Sequence, residues 1–375
     1  MPNTFLTVQE IGREILPLLK ENLIMPMTVN RNYSQDFIGK GDTILVEKPA
    51  VFVADEFGST INLQNISETS VTVKMDKIAD VSFSITAKDL ALSMPQFKTK
   101  YLASAAQAIA EKINQDGLKL YKDIPYFYGT SGTTPDALSD FAGPRKVLND
   151  NKVPMQDRYA AWDTAADAKF LELDAIVNAE KSGTTAALRA GAIGDIMGFK
   201  NFMSQAIQTH TAGGYTGLAD VTVTTGTKGA TSIALTSAAV TSTAKLLKGD
   251  IFTVDGKQYV ITADSSAAVA GVVTASIYPA LHAAKGDMDS VAVTFPDVTA
   301  RGHVANLAYH EKAFIFVTRP LDTPPGVESY VTSYEGITLR VTSAYDISTK
   351  KTTISIDTLY DYVTAYPELA TRVLG

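Results

Sequence analysis

The chain contains no cysteine. That excludes a disulfide framework and any metal site built on thiolates, and it fits a reducing compartment. Histidine is scarce too, with four in 375 residues. His210, His282, His303 and His310 include no pair three or four residues apart, the spacing that places two imidazoles on one helix face. No apolar run approaches the ~18 residues of a membrane span. The first residues carry Glu10 and Glu14 in place of a basic segment followed by an apolar one. A soluble protein, not exported through a signal peptide, is expected. Basic residues are outnumbered: 33 Lys and Arg against 40 Asp and Glu give a net charge of -7, with no run of five or more basic residues. Broad nucleic-acid binding is therefore not expected.

Signatures of catalysis are missing as well. There is no Gly-x4-Gly-Lys-Ser/Thr phosphate loop and no Gly-x-Gly-x-x-Gly after a strand. Gly129-Thr130-Ser131-Gly132-Thr133 has the outline of a nucleophile elbow, but its last position is Thr, and no strand is expected immediately before it. Asp287 and Asp289 are two carboxylates without the remaining ligands of a calcium loop, and a solvated turn accounts for them. No catalytic residue, cofactor-binding residue or metal site is assigned, and the chain reads as a non-enzyme.

What is present is an ordinary globular composition, 45% apolar and 19% charged, in a chain long enough for two or three cores. The dominant stretch is Gln96 to Asp123. It starts after Pro95 and ends before Pro125, with Phe97, Tyr101, Ala105, Ile109 and Ile113 recurring every fourth residue. One amphipathic helix of roughly 42 Å is predicted, at ~1.5 Å per residue. Gly117 marks a bend or a close backbone contact within it.

Upstream, Thr7-Val8-Gln9-Glu10 has the spacing of a capping box, and Val8, Ile11, Ile15, Leu18 and Leu19 follow helical spacing, with Pro17 expected to kink or interrupt the helix. From Thr43 the period changes to strand. Ile44 and Val46, then Val71 and Val73 with Ile78, Val81, Phe83 and Ile85, suggest a long hairpin with a polar tip between Asp55 and Ser70. Such a hairpin either docks on a neighbour or belongs to an internal sheet. Asp157 to Phe202 reads as a mixed helix and strand unit, with helical pieces at Ala165 to Lys169 and Thr185 to Arg189.

Between Asp220 and Pro296 the chain turns rich in Thr, Ala and Val, in short strand-like runs. Asp255-Gly256 between Phe252-Thr253-Val254 and Gln258-Tyr259-Val260 is a hairpin signal. This stretch reads as a small all-β domain inserted into the preceding unit. A second hairpin around Ser348 to Lys351 closes the fold, and Leu359 to Val373 reads as a short terminal segment.

The order of these pieces, and specific residues within them, carry a resemblance. Asn30-Arg31-Asn32-Tyr33, Gly39-Lys40-Gly41-Asp42-Thr43-Ile44 and Lys48-Pro49 resemble the N-terminal signature of tailed-phage major capsid proteins of the P-twenty-two coat family. So do Val177 to Thr185 with Leu188-Arg189-Ala190-Gly191, Ile193-Gly194 with Gly198-Phe199, and Gly249 to Val254. Ile337 to Tyr345, Asp357, Leu359-Tyr360 and Pro367-Glu368-Leu369 complete the match.

The resemblance implies an α+β chain of the Hong Kong 97-like phage capsid fold. Its parts would be an N-terminal arm (1-35), an extended-loop hairpin with peripheral strands (36-94), and a spine helix with the following loop (95-142). The axial domain would come in two parts (143-219 and 297-335) around an inserted β-domain (220-296), and a peripheral-domain hairpin would end the chain (336-375). The implied function is that of a major coat protein, self-assembling as hexamers and pentamers into an icosahedral shell around double-stranded DNA. Implied partners are a scaffolding protein during assembly, a portal protein at one vertex, decoration proteins, and packaged DNA held without sequence-specific binding. Assembly would take place in the host cytoplasm, with no membrane and no cofactor involved. Phe57, Ile61 and Leu63 in the hairpin tip are the candidate inter-subunit contacts, against local packing within the hairpin. Two rival readings are a surface or adhesion protein whose β-insert binds carbohydrate, and an enzyme with a site assembled from scattered residues.

Overall fold

The computed structural model describes residues 8-32, 43-48, 56, 69-86, 103-183, 185-218, 220-239, 243-284, 292-297, 302-334 and 337-375. It is a mixed α+β structure of several sheets. The chain divides into two units: Met1–Leu23 with Arg31–Lys112 and Ile315–Ala365, and Ile24–Asn30 with Ile113–Phe314 and Tyr366–Gly375.

The first unit is built on the fourteen-residue strand Lys351–Thr364. On one side it pairs antiparallel with Ile337–Asp346, which in turn pairs with Glu328–Tyr334. On the other it pairs with Lys77–Thr86 through a ten-residue register from Lys351↔Thr86 to Tyr360↔Lys77, and with Phe314–Arg319. Helix Val8–Asn22 lies on the strands Glu328–Tyr334 and Ile337–Asp346, burying Ile11, Ile15 and Leu19. The helix runs through Pro17 without interruption, so of the two outcomes expected there an interruption does not occur. Pro17 is exposed, so water can satisfy the carbonyl it leaves free, while the buried stripe holds both halves to the sheet.

The expected long hairpin also resolves differently. Among the described residues Thr43–Lys48 pairs only with Thr69–Lys74, whereas Lys77–Thr86, read as part of the same return strand, leaves for the larger sheet. The tip residues Phe57, Ile61 and Leu63 lie outside the described residues, as do Asp287 and Asp289.

The predicted helix Gln96 to Asp123 is described from Ala103. It is α-helical to Leu118, one residue past Gly117, and then tightens to a 3-10 turn, Lys119–Asp123. Ala105, Ala106, Ile109, Ala110 and Ile113 are buried.

The second unit has a seven-stranded mixed sheet. In order it runs Phe127–Tyr128, Ala370–Leu374, Gly302–His310, Arg158–Trp162, Phe199–Met203 and Asp195–Ile196, with Thr209–Thr211 also paired to Gly302–His310. The segment read as a short terminus is therefore an interior strand, and all five residues of Ala370–Leu374 are buried. On one face lie helices Ser139–Asp150 and Thr164–Phe170, with Phe141, Trp162 and Phe170 in mutual ring contact at centroid separations of 4.4 to 5.1 Å. Each such fully buried aromatic contributes about 1.5–3 kcal/mol. Asp163 caps the second helix by accepting from the amides of Ala165 and Ala166.

Between Thr222 and Phe295 the same unit carries a small barrel. Five antiparallel strands follow the spatial order Ile251–Val254, Lys257–Ile261, Val272–Tyr278, Ser232–Thr236, Thr222–Thr225. The two outer strands are bridged by one segment, in which Ala292 pairs with Thr222 and Thr294 with Thr253. This closes the ring and leaves no long open edge. Asp255 and Gly256 both take positive φ, 49° and 67°, forming the tight turn that joins Ile251–Val254 to Lys257–Ile261. Inside are Val223, Ile233, Leu235, Phe252, Val254, Tyr259, Ile261, Val273 and Ile277.

Candidate functional site

Where the barrel leaves the seven-stranded sheet, polar and charged residues from seven separate stretches meet in a buried cluster. Antiparallel pairing of Thr209–Thr211 with Gly302–His310 sets His210 directly opposite His303, with ring centroids 5.2 Å apart. Arg372 comes from the terminal strand Ala370–Leu374, opposite Leu307. Tyr121 comes from the 3-10 turn, Asp250 from the turn entering strand Ile251–Val254, Asp297 from the barrel's exit and Ser131 from the loop after Phe127–Tyr128. All seven side chains are buried; Asp250, Asp297 and Arg372 have no exposed surface.

Two histidine–carboxylate pairs organise the cluster. His210 Nε2 lies 2.9 Å from Asp250 Oδ1, and its Nδ1 lies 3.1 Å from the Tyr121 hydroxyl. Asp250 also accepts from the amides of Gly213 (3.2 Å) and Leu247 (2.8 Å), so its oxygens are satisfied. His303 Nδ1 lies 2.9 and 3.2 Å from the two oxygens of Asp297, to which Ser131 Oγ donates at 2.6 Å. Arg372 Nη1 donates to the carbonyl of Gly249 at 2.7 Å, and its guanidinium sits 5.2 Å from the centroid of the Tyr121 ring. Among the described residues, Arg372 Nε and Nη2 and His303 Nε2 have no hydrogen-bond partner.

The backbone is shaped to allow this. Gly249 has φ +100°, and a Cβ there would come within 2.9 Å of Lys122 Cγ and 3.2 Å of His210 Cε1. At Gly213 a Cβ would meet the Lys245 carbonyl oxygen at 2.3 Å. Three further ties surround the cluster. The Gln258 amide bonds both the amide (3.1 Å) and the carbonyl (2.9 Å) of Phe127, the Tyr278 hydroxyl donates to Glu368 at 3.2 Å, and Lys248 pairs with Asp123 at 2.9 Å.

Burial governs the electrostatics. It lowers the affinity of His303 for a proton, and the nearby Arg372 charge acts in the same sense against the opposing pull of Asp297. Burial alone would raise Asp297, but the bond to His303, its charge and the Ser131 hydroxyl outweigh it and hold the carboxyl below its ordinary value. Burial brings Arg372 down to about 10 and pushes the Tyr121 hydroxyl up to about 12.

This constellation contains a serine, a histidine and an aspartate, yet its geometry is not catalytic. Ser131 and His303 both bond to the same carboxylate, so the imidazole is not placed to take the hydroxyl proton, and among the described residues all three side chains are buried. A strand, Phe127–Tyr128, does precede the Gly129-Thr130-Ser131-Gly132-Thr133 loop, contrary to the sequence reading. Among the described residues no group of three His, Asp or Glu side chains could hold a metal. What the cluster can do is couple the barrel to the sheet and to the state of its protons. Sequence spacing missed it because His210 and His303 meet across strands.

No protein-family model matches this chain, and no curated protein matches it in sequence. Solved structures do. A structure from Mycobacterium phage Che8 is similar over 94% of this chain and 90% of that chain, with a TM-score of 0.54 at 14% identity. The capsid structure of the cyanophage P-SCSP1u covers 90% of this chain and 84% of its own, with a TM-score of 0.48 at 12% identity. The mature capsid of bacteriophage PhiM1 covers 89% and 82%, with a TM-score of 0.46 at 10% identity. The first of these shows a fold shared along nearly the whole chain.

Proposed function

We propose that this chain is a major capsid protein of the Hong Kong 97-type fold, a coat subunit that assembles into an icosahedral shell around double-stranded phage DNA. The observation that carries the reading is the fold likeness to the Mycobacterium phage Che8 structure across 94% of the chain. The sequence resemblance to the P-twenty-two coat family supports it from a separate direction. On this reading the seven segments drawn from the sequence are the arm, extended loop, spine helix, two-part axial domain, inserted domain and peripheral hairpin. Hexamers and pentamers of the chain form the lattice, a scaffolding protein guides assembly in the host cytoplasm, and a portal occupies one vertex.

A physical argument supports self-association. Thr43–Lys48 and Thr69–Lys74 pair only with each other among the described residues, and a two-stranded sheet is marginal alone in water. Val46 and Val73 are buried within this chain while Leu45 on the other side is exposed, so a neighbouring subunit is the natural support of that outer side, with Phe57, Ile61 and Leu63 as its contacts. The deciding experiment is co-expression with the neighbouring open reading frames, followed by sedimentation velocity and negative-stain imaging. Closed, uniform particles are expected; only small species in the presence of a scaffold would overturn the reading. Replacing Phe57, Ile61 and Leu63 together by Ser is expected to leave a folded subunit that no longer closes shells.

A further inference from the structure

The buried cluster at the barrel's root has a feature that packing alone does not require. In the neutral ring, His303 donates Nδ1–H to Asp297, which leaves Nε2 as an acceptor with no partner among the described residues, at a site without water contact. A second proton would turn that nitrogen into an unpartnered donor on a buried cation. The charged groups around it come from every neighbouring stretch. Among the described residues Arg372 acts on it from the terminal strand, His210 from the adjacent strand and Asp297 from the exit; Asp250 and Tyr121 stand behind His210, Asp123 acts on Arg372, Lys248 pairs with Asp123, and Lys122 lies against Gly249. Among the described residues only Asp297 touches the ring with a negative charge, and it already shares that charge with the Ser131 hydroxyl.

We propose that this root is an acid-operated latch: proton uptake at His303 opens the contact between the inserted barrel and the seven-stranded sheet, while the barrel itself stays folded. An imidazole that meets water takes up the proton that the closed root refuses, so acidification favours the open form. The barrel's interior gives acid no equivalent hold, because its core is apolar and its ring is closed. Its own histidine, His282, sits at the rim between the Tyr259 hydroxyl (2.6 Å) and Asp255 (3.0 Å), partly in water, where a charge is met without opening anything. The proposal concerns the single subunit and stands apart from the shell reading.

The test is hydrogen exchange by mass spectrometry on the full-length soluble subunit between about pH 7.5 and 5.5, corrected for the pH dependence of intrinsic exchange. Peptides over Thr209–Thr211, the Leu247 to Asp250 turn and the start of Gly302–His310 report the root, and peptides over Ser232–Thr236 and Val272–Tyr278 report the barrel. The expected result is root opening that grows up to about tenfold for each pH unit below the ordinary imidazole value, with the barrel unchanged. The response should persist in His282→Gln and be lost in His303→Gln. Should His303→Gln fail to fold, the wild-type profile and His282→Gln decide. A root indifferent to pH, a barrel that opens together with the root, or a response abolished by His282→Gln would each overturn the latch.

Discussion

The two units of this chain solve the problem of charge in different places. The first holds its most enclosed ion pair near a surface: Arg340 meets Asp357 in a two-pronged contact of 3.0 and 2.6 Å on neighbouring strands, with the side chains 19% and 9% exposed. The second puts Arg372, Asp250 and Asp297 where no water reaches, and among the described residues gives the Arg372 guanidinium a single hydrogen bond. All four histidines fall in the second unit. A pair near water tolerates the loss of one partner, because solvent takes over. A dry cluster does not, since each group there is held only by the others.

The contrast is sharpest when each arginine is replaced by Met. Arg372→Met leaves two buried carboxylates without the permanent positive charge that acts on both and should cost about 3–5 kcal/mol. Arg340→Met should cost less, about 1–3 kcal/mol, because Asp357 keeps only a thin exposed edge, 9% of its side chain, through which water can reach it. Urea unfolding measures both. The fluorescence of the single tryptophan, Trp162, reports the second unit, and far-ultraviolet circular dichroism serves for the first. Equal losses would remove the distinction between the units.

Glycines test whether the root is close-packed or merely polar. Gly249→Ala combines a left-handed backbone with contacts on Lys122 and His210 and should cost about 1–3 kcal/mol. Gly256→Ala, in the open barrel turn with nothing near its Cβ position, should cost about 1 kcal/mol from the backbone alone. Similar values, measured as shifts of the urea midpoint, would mean that the root yields as easily as a surface turn.

Acid separates the units next. His303 and His310 both bind protons less readily in the folded state than an exposed histidine, in each case first through burial. Their contribution is intact above the ordinary imidazole value and is lost as pH falls below it, because the unfolded chain then binds more protons. Each full unit of lowering removes about 1.4 kcal/mol. Asp297, held below its ordinary value, adds a later loss in the carboxylate range. The first unit, without histidine, should keep its stability down to that range. Thermal melts at about pH 7.5 and 5.5, with His303→Gln as the variant, check the sign and the source; an undiminished loss in the variant would exclude His303.

Much of the fold was readable in the chain, and the reasons are local. Asp255-Gly256 announces its hairpin because both positions need positive φ, and Ile11, Ile15 and Leu19 mark the buried face of their helix by spacing alone. Long-range pairing was less readable. Lys77–Thr86 alternates like a return strand, but alternation does not name a partner, and its ten-residue register with Lys351–Thr364 spans most of the chain. The buried cluster was not readable at all. Tyr121, Ser131, His210, Asp250, Asp297, His303 and Arg372 are scattered along the chain with no spacing that links them, and strand pairing and the barrel's exit bring them together.

The smallest expected effect concerns the rim of the same root, where the two modes of holding charge lie side by side. Lys248 pairs with Asp123 at 2.9 Å, but the side chains are 47% and 31% exposed, so water and salt screen the attraction. Removing Lys248 also leaves Asp123 within the field of Arg372, which compensates part of the loss. Lys248→Ala should therefore cost no more than about 0.5 kcal/mol, and that difference should vanish at about 1 M NaCl. Gln258→Ala removes two neutral hydrogen bonds to the Phe127 backbone and should cost about 1 kcal/mol at either salt concentration. Urea midpoints of the two variants at low and high salt decide the matter. A salt-insensitive loss of a full kcal/mol in Lys248→Ala would mean that the dry region reaches out to Asp123, and the boundary between screened and unscreened charge would have to be redrawn one shell further from Arg372.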